Sequence, residues 1–381
     1  MTILKADTNR KLKIAVLFGG RSGEHEVSLD SARSVLGVLD LRKYEIFQVG
    51  ITHAGDWLTG PDARLALEKD DTSRLIPCTI LPDPSKAGLY ALPVAGPVTS
   101  AGLKKLTDLD VVFPVLHGTY GEDGTLQGLL EMADLAYVGA GVTGSSVGMD
   151  KGVFKDVMRA NGIPTVESII VLRSEIEKDI EAVIRKAEQV SAYPLFIKPA
   201  NLGSSVGISK CNRQADLGEA LLEAAAYDRR VLVERGVNAH EIEVSVLGND
   251  DPQASVPGEV LPSREFYSYE SKYVDGTSGL LIPAPLPDET AGKIRRMAIN
   301  AYQAIDCAGM ARVDFFLEKN TGEIYLNELN TIPGFTSISM YPKLWEASGL
   351  SFTGLVDRLI ELALERKADR NRTERRFRRT S

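Results

Sequence analysis

The chain has 381 residues, of which 44% are hydrophobic and 25% charged, and its formal net charge is −8. This length predicts two or three domains with ample core, and the composition excludes collagen-like, largely disordered and disulfide-dense secreted proteins. A net negative chain is also a poor general nucleic-acid binder, so we expect no nucleic acid among its partners.

The cysteine pattern and the hydropathy pattern predict a cytoplasmic protein. Cys78, Cys211 and Cys307 lie far apart and form no CxxC or Cys/His cluster, which fits a reducing compartment and predicts no zinc site. No run of about 18 apolar residues occurs, so no membrane span is predicted. Residues 1–12 resemble a loose leader without the features of a signal peptide.

The first 150 residues alternate between strand and helix patterns. Strands are predicted at residues 13–18, 45–51 and 111–116, a helix begins at Ser28, and another covers 125–132. This alternation is typical of an open α/β sheet. Residues 60–105 are rich in proline and glycine, and we predict an insertion or an edge hairpin there.

After residue 150 the pattern changes to antiparallel strands and amphipathic helices. Helices are predicted at 151–160, 174–190, 214–227, 287–308 and 351–366, and β-structure at 165–172, 195–209, 231–247, 311–318 and 323–330. From Arg366 onward the chain is strongly basic, which we interpret as a solvated end.

Two glycine-rich segments suggest different roles. Residues 139–144 match GxGxxG, but we expect residues 145–148 to continue a loop rather than a helix, so we predict a domain junction instead of a dinucleotide site. In KPANLGSSVG at 198–207, an apolar strand leads to Lys198 and then to a Gly/Ser loop. Glycine backbone N–H groups, serine hydroxyls and a lysine favour phosphate binding, although an ordinary hairpin with an exposed lysine remains open.

Two predicted strands carry acids on shared faces. Arg312 and Asp314 are two residues apart on one strand, and Glu328 and Asn330 on the next, so each pair shares a face. Oxygen ligands of this kind suit Mg²⁺, whereas a salt-bridged solvated face is the alternative. Glu24 lies where the first strand ends, the position at which open α/β sheets bind ligands.

Several strings in fixed order resemble the D-alanine–D-alanine ligases of the ATP-grasp superfamily. They are GGRSGEHEVS at 19–28, HGTYGEDGTLQG at 117–128, MDK at 149–151, KPANLGSSVG at 198–207, YESKY at 269–273, ARVDFF at 311–316 and NELNTIPGFTSIS at 327–339. The resemblance spans about residues 13–365 and implies an α/β protein with an ATP-grasp fold and an N-terminal open α/β domain.

The implied organisation has five parts: a leader at 1–12, an N-terminal domain at 13–149, a central domain at 150–236, a C-terminal domain at 237–366 and a basic tail at 367–381. ATP is expected between the central and C-terminal domains. The resemblance implies that ATP joins two D-alanines through an acyl phosphate for peptidoglycan synthesis, in a homodimer that uses two Mg²⁺ or Mn²⁺ ions.

The resemblance also implies residue roles, which we carry over position by position. For the reacting groups these are Glu24 on the ammonium of the first D-alanine, Ser204 and Tyr273 bonded to Glu24, Arg312 with Gly334 on the tetrahedral intermediate, and Ser339 and Met340 on the second carboxylate. For the nucleotide they are Lys151, Lys198, Ser205 and Lys272 near the phosphates, Glu234 to Val237 near adenine, and Glu241 on ribose. Asp314, Glu328 and Asn330 would hold the two metal ions.

Two other functions remain open from the sequence. The same scaffold could use D-lactate or D-serine as acceptor, although Tyr273 favours D-alanine in such proteins. A catalytically silent nucleotide-binding regulator is the other alternative. The presence of Arg312, Asp314, Glu328 and Asn330 argues against it.

Overall fold

The computed structural model describes residues 10–93, 102–203, 206–261 and 279–375, and its strands form three sheets. The first sheet contains β1 Leu12–Gly19, β2 Tyr44–Ile51, β3 Trp57–Thr59, β4 Ile76–Ile80, β5 Leu89–Ala91, β6 Lys104–Thr107, β7 Val111–Pro114 and β8 Ala136–Tyr137. Its helices are α1 His25–Val38, α2 Ala63–Glu68, α3 Thr125–Met132 and α4 Val142–Met149.

The strand order of the first sheet is β6-β5-β4-β3-β2-β1-β7-β8, with parallel pairing from β2 to β8. Ile14, Val16 and Phe18 alternate with Ala15 and Leu17 along β1, and all five are fully buried. Burial on both faces is what the continuous apolar run predicts for a central parallel strand. The described part of the 60–105 segment adds α2 and the antiparallel strands β4 to β6 at one edge.

The GxGxxG segment differs from the prediction, because α4 begins at Val142, directly after Gly141. The expectation of a loop through residues 145–148 is therefore wrong. The small residues serve close packing: a Cβ on Gly144 would lie 3.1 Å from Cys307 Cα, and one on Gly148 would lie 3.3 Å from the Leu329 carbonyl oxygen. Small residues that resemble a loop in the sequence thus let a helix approach the third sheet.

The second sheet contains β9 Ser168–Leu172, β10 Leu195–Pro199, β11 Ser209–Cys211 and β12 Arg230–Arg235, in the antiparallel order β11-β10-β12-β9. Its helices are α5 Lys151–Ala160, α6 Arg173–Lys178, α7 Ile180–Ala187 and α8 Gln214–Tyr227. The single helix predicted at 174–190 is two helices, because the Asp179 carboxylate caps α7 by accepting from Ala182 N–H at 2.9 Å.

The third sheet is antiparallel throughout, in the order β16-β15-β13-β17-β18 with β14 beside β13. These strands are β13 Ala239–Gly248, β14 Gln253–Ala254, β15 Gly258–Leu261, β16 Gly279–Leu281, β17 Gly309–Glu318 and β18 Ile324–Asn330. The remaining helices are α9 Asp288–Ala304, α10 Met340–Ala347 and α11 Phe352–Arg370.

The first sheet and the last helices share one hydrophobic core. Ile14 and Phe18 of β1 belong to the same buried cluster as Phe335, Leu355 and Leu359. All five are 0–1% exposed, so the helix α11 covers apolar surface of the first sheet that would otherwise face water. Within the described residues, no helix has the length and apolar character needed to cross a membrane.

The helix α11 continues four residues beyond the predicted end at 366, and its last turn binds the first sheet. Arg366 donates to the carbonyl oxygens of Gly139 and Tyr137 and lies 4.2 Å from the Tyr137 ring centre. Lys367 pairs with Asp134 at 2.7 Å. The interpretation of the whole basic segment as a solvated end is therefore wrong for these first residues.

We expect Arg366→Met to lower the free energy of unfolding by about 1–3 kcal/mol, because two carbonyl groups lose a charged donor. Arg372→Met is the matched control, since Arg372 pairs only with exposed Asp369 in the described structure and such pairs contribute little. Chemical denaturation of both variants checks this. Equal stabilities for the two variants would contradict the role of Arg366.

Candidate active site

A cleft of about 660 Å³ lies where the three sheets meet. Clefts of this size with polar and apolar walls are typical of small-molecule sites. The predicted site residues in its wall are Glu24, Lys151, Lys198, Glu234, Val237, Glu241, Arg312, Glu328, Asn330 and Gly334. Ser204, Ser205, Lys272 and Tyr273 lie outside the described residues.

A buried carboxylate holds two lysines at one end of the cleft. Glu234 on β12 is 2% exposed, and its two oxygens lie 2.5 Å from the Nζ atoms of Lys155 and Lys198. The antiparallel pairing of β10 with β12 puts Lys198 and Glu234 on neighbouring strands, and α5 supplies Lys155. Burial alone would raise the pKa of Glu234, but the two ammonium groups outweigh it and lower that pKa to about 2.

Lys151 lies one helical turn before Lys155 and faces the glycine-rich segment. Its Nζ donates to the Leu202 carbonyl oxygen at 2.7 Å, and its backbone N–H donates to the Ala200 carbonyl oxygen at 3.0 Å. Asp150 caps α5 by accepting from the N–H groups of Gly152 and Val153. The start of α5 therefore presents the Lys151 ammonium group to the cleft, whereas the N–H groups of Gly152 and Val153 are already capped by Asp150.

The connection between β12 and β13 forms the wall beside Glu234. Gly236 N–H donates to the Pro194 carbonyl oxygen at 2.8 Å, and Val237 and Glu241 line the cleft. Arg235 contacts Glu167 and Glu318 with its guanidinium group. The residues predicted near adenine and ribose thus lie on one continuous wall.

The opposite end contains the predicted acid cluster. In the β17–β18 register, Arg312 is opposite Asn330 and Asp314 is opposite Glu328, so the predicted sharing of faces is correct. Arg312 donates to both oxygens of Asp314 at 2.7 and 2.6 Å, and Asn330 donates to the same carboxylate at 3.1 Å. Burial opposes the charge of Arg312, but the neighbouring carboxylates raise its pKa well above the usual range.

The charges at this end fit a metal ion. Glu243 on β13 also lies 3.0 Å from Arg312, so three carboxylates, those of Glu243, Asp314 and Glu328, surround one guanidinium group. Buried carboxylates need counter-charges. The atoms available here to bind a metal ion are oxygens, which are the ligands that Mg²⁺ and Mn²⁺ prefer. The residues present therefore fit the predicted cation site.

Glu24 is held in a tight turn after β1. Its backbone N–H donates to Ser22 Oγ at 3.1 Å, and that hydroxyl donates to the His117 carbonyl oxygen at 2.9 Å. A Cβ at Gly118 or Gly203 would lie 2.5 or 2.8 Å from the Glu24 carboxylate. Glycine at these positions leaves room for the Glu24 carboxylate in its present place, whereas a Cβ at either position would require this side chain to shift.

His117 and Glu122 join the first sheet to the loop after β18. Glu122 accepts from the N–H groups of Gly118 and Ile332 at 2.8 and 2.9 Å. His117 Nδ1 donates to the Ile332 carbonyl oxygen at 2.9 Å, and its Nε2 then accepts from Ser31 Oγ at 3.0 Å. A carbonyl oxygen can only accept, so this assignment gives a neutral histidine, and burial lowers the pKa of His117 in the same direction.

Three residues at this site were not given a role from the sequence: Glu122, Lys155 and Glu243. Lys155 and Glu243 are charged residues at core-facing positions, beside Phe154 and Val244. Such charges could have been noticed as exceptions within apolar patterns, because buried charges are rare unless paired. Ser339 lies beside Gly334, with its Oγ 3.2 Å from where a Cβ of residue 334 would be.

The titration of Glu122 should appear in the pH dependence of stability. Burial and the nearby Glu24 carboxylate raise the pKa of Glu122 to about 8 from 4.5. The folded state therefore holds a proton that the unfolded state releases, so this group lowers stability as pH rises from about 4.5 to 8.

We expect Glu122→Gln to flatten the fall of the unfolding free energy between these pH values, at about 1.4 kcal/mol for each pKa unit removed. Glu45→Gln on the exposed side of β2 is the control. Urea unfolding at several pH values checks the prediction. Parallel curves for the wild type and the Glu122 variant would contradict it.

Comparisons with known proteins agree along almost the whole chain. A family model described as the D-ala D-ala ligase N-terminus matches residues 13–140, and one described as the D-ala D-ala ligase C-terminus matches residues 157–361. A D-alanine–D-alanine ligase of Thermoanaerobacter sp. (strain X514) is 53% identical over 93% of this chain and 97% of that protein. One of Chloroherpeton thalassium is 50% identical over 94% of this chain and 98% of its own length.

Solved structures give the same result. The D-alanine–D-alanine ligase of Coxiella burnetii superposes with a TM-score of 0.79 at 38% identity, covering 95% of this chain and 96% of that one. The VanG D-Ala:D-Ser ligase of Enterococcus faecalis gives a TM-score of 0.82 at 36% identity, covering 93% and 100%. The predicted α/β class with an ATP-grasp fold is confirmed. This chain belongs to the D-alanine–D-alanine ligase family.

Proposed function

We propose that this protein joins two D-alanine molecules into D-alanyl-D-alanine, with conversion of ATP to ADP and phosphate, for peptidoglycan precursor synthesis. The observation that carries the proposal is that one cleft is lined by Glu24, by Lys151 and Lys198, and by Arg312, Glu328 and Asn330. The family uses ATP, and the cleft offers cations at one end and oxygen ligands at the other.

The nucleotide occupies the end of the cleft nearest Lys198. Lys151 and Lys198 contact its phosphates, the wall from Glu234 to Val237 contacts adenine, and Glu241 contacts ribose. Ser205 and Lys272 add phosphate contacts. The positive charge of Lys151 and Lys198 offsets phosphate charge, which supports this placement.

Asp314, Glu328 and Asn330 hold two Mg²⁺ or Mn²⁺ ions. Bound there, the metal supplies neutralisation of the charge that develops on the transferred phosphoryl group. Asn330 bonds Asp314, and Glu328 is opposite Asp314 on the neighbouring strand. The three proposed metal ligands therefore lie close together in this structure. The surplus of carboxylates over guanidinium groups supports this assignment.

The reaction proceeds in two steps at the boundary between these ends. A carboxylate oxygen of the first D-alanine attacks the γ-phosphorus of ATP, which gives an acyl phosphate and ADP. Glu24 holds the ammonium group of this D-alanine through charge pairing. The cleft excludes water from the acyl phosphate, which would otherwise hydrolyse.

In the second step the free amine of the other D-alanine attacks the acyl carbon. Arg312 and the Gly334 N–H stabilise the oxyanion of the tetrahedral intermediate, which then expels phosphate and forms the amide. Ser339 and Met340 hold the carboxylate of the second D-alanine. Ser204 and Tyr273 bond Glu24 and close the site.

The assembly, the location and the domain boundaries are also proposals. A homodimer follows from the family resemblance. A cytoplasmic location fits the three cysteines, which are free and buried. The boundaries near residues 149 and 236 are supported by the three sheets, which are built from successive parts of the chain. The boundary proposed at residue 366 falls inside α11, which ends at Arg370.

The test of the proposed activity is phosphate release from Mg·ATP by the purified protein, with and without D-alanine, together with product identification. We expect release to depend on D-alanine and the product to be D-alanyl-D-alanine. Because one structural relative is a D-Ala:D-Ser ligase, mixtures with D-serine and D-lactate are run across pH. If the main product contains another acceptor, that acceptor replaces D-alanine as the proposed second substrate. If ATP binds without turnover, a catalytically silent nucleotide-binding regulator becomes the favoured function.

We expect Glu328→Gln to lower kcat by roughly 100-fold or more, because a charged metal ligand becomes neutral. Glu323→Gln is the control on the same hairpin, where Glu323 is exposed and bonds Tyr325. Steady-state kinetics at several Mg²⁺ and Mn²⁺ concentrations check the prediction. A Glu328 variant with the kinetics of the Glu323 variant would remove Glu328 from the metal site.

A further inference from the structure

One carboxylate is shared by two lysines of different accessibility. Lys155 is 1% exposed and forms no part of the cleft wall, whereas Lys198 lines the cleft and lies 5.7 Å above the Phe196 ring centre. Both Nζ atoms are 2.5 Å from Glu234, one at each oxygen. Of this pair, only Lys198 can therefore reach a ligand.

This arrangement creates a competition when a nucleotide binds. If Lys198 turns toward phosphate oxygens, Glu234 loses one of its two counter-charges. A buried carboxylate without a partner is strongly destabilising, so a protein with Lys198 alone would resist that movement. A second lysine on the far side of Glu234 removes this obstacle, because Glu234 keeps an ion pair throughout.

We propose that Lys155 is a positioning residue that keeps Glu234 paired and in place, which releases Lys198 to the phosphates of the bound nucleotide. The inference rests on the proposed function, since it requires ATP in this cleft. Lys155 itself contacts no substrate. It acts through Glu234 on the strength with which Lys198 is held.

The electrostatics of Lys155 support this role. Burial lowers the pKa of Lys155, whereas Glu234 favours its charged form and Lys198 opposes it. Arg159, one turn further along α5, adds a smaller repulsion. Glu234 is thus the group that favours the charged form of Lys155, and the contact between Lys155 and Glu234 Oε1 does not involve Lys198.

The test replaces Lys155 by methionine, which keeps the length of the side chain and removes the charge. We expect the dissociation constant of Mg·ADP, measured by calorimetry, to rise about tenfold or more, because Glu234 then depends on Lys198 alone. The KM for ATP should rise in parallel and the KM for D-alanine should not change. Lys186→Met is the matched control, because it removes an exposed ion pair with Glu175 on the helices of the same second sheet.

A double-mutant cycle separates this role from a merely structural one. With Glu234→Gln in place, no carboxylate competes for Lys198, so adding Lys155→Met should change the Mg·ADP affinity less than about twofold. The double variant lacks both buried charges, so its Mg·ADP affinity can be compared with that of Glu234→Gln even if Lys155→Met alone does not fold. Lys155→Gln, which retains a neutral donor, serves as a further single variant.

The outcomes distinguish the two proposals. An unchanged Mg·ADP affinity in the folded Lys155 variants, or an equal loss in both backgrounds of the cycle, would overturn the positioning role and leave the proposed function intact. A wild-type protein that binds no Mg·ADP would overturn both. A lower melting temperature with unchanged nucleotide affinity would reduce Lys155 to a structural ion pair.

Discussion

The geometry of the site depends on two hydrogen bonds made by the backbone of Ile332. Its N–H donates to Glu122 and its carbonyl oxygen accepts from His117. Ile332, in the loop after β18 of the third sheet, is therefore held by two residues that follow β7 of the first sheet. Phe335 adds a third link through its N–H to Ser31 Oγ. Because Gly334 lies between these residues, the loop after β7 and the helix α1 fix its position relative to Glu24 as much as β18 does. Its N–H is the group that we propose for oxyanion stabilisation.

The cleft is also organised by a separation of charge. Lys151 and Lys198, which we propose as phosphate ligands, lie on the side of the cleft formed by the second sheet and α5, whereas carboxylates outnumber the guanidinium group of Arg312 on the side formed by the third sheet. The second-sheet side thus offers lysines to a ligand, and the third-sheet side offers carboxylates. A nucleotide with a bound metal ion carries negative phosphates for the lysines and a cation for the carboxylates. A substrate with that polarity fits one orientation, and the cost of the reverse orientation provides specificity.

Much of this site follows from local sequence patterns. The alternation of Arg312 and Asp314, and of Glu328 and Asn330, predicted that each pair shares a face, because the period of a strand is two. Lys155 and Glu243 could be noticed as charges within apolar patterns, but their partners could not be assigned in this way, since Glu234 and Arg312 are distant from them in sequence. The helix at Val142–Met149 was missed because its glycines serve packing against Cys307 and Leu329, which only the folded chain brings near.

The shared core between β1 and α11 has a consequence for how the protein is made. Ile14 and Phe18 leave the ribosome more than 300 residues before Leu355 and Leu359, the residues that cover them. Until then the helix α1 covers only part of this apolar face of the first sheet, and the contacts that complete it are among the most distant in the chain, which slows folding. The nascent protein therefore exposes apolar surface of the first sheet, which favours aggregation, until α11 is available to pack against it.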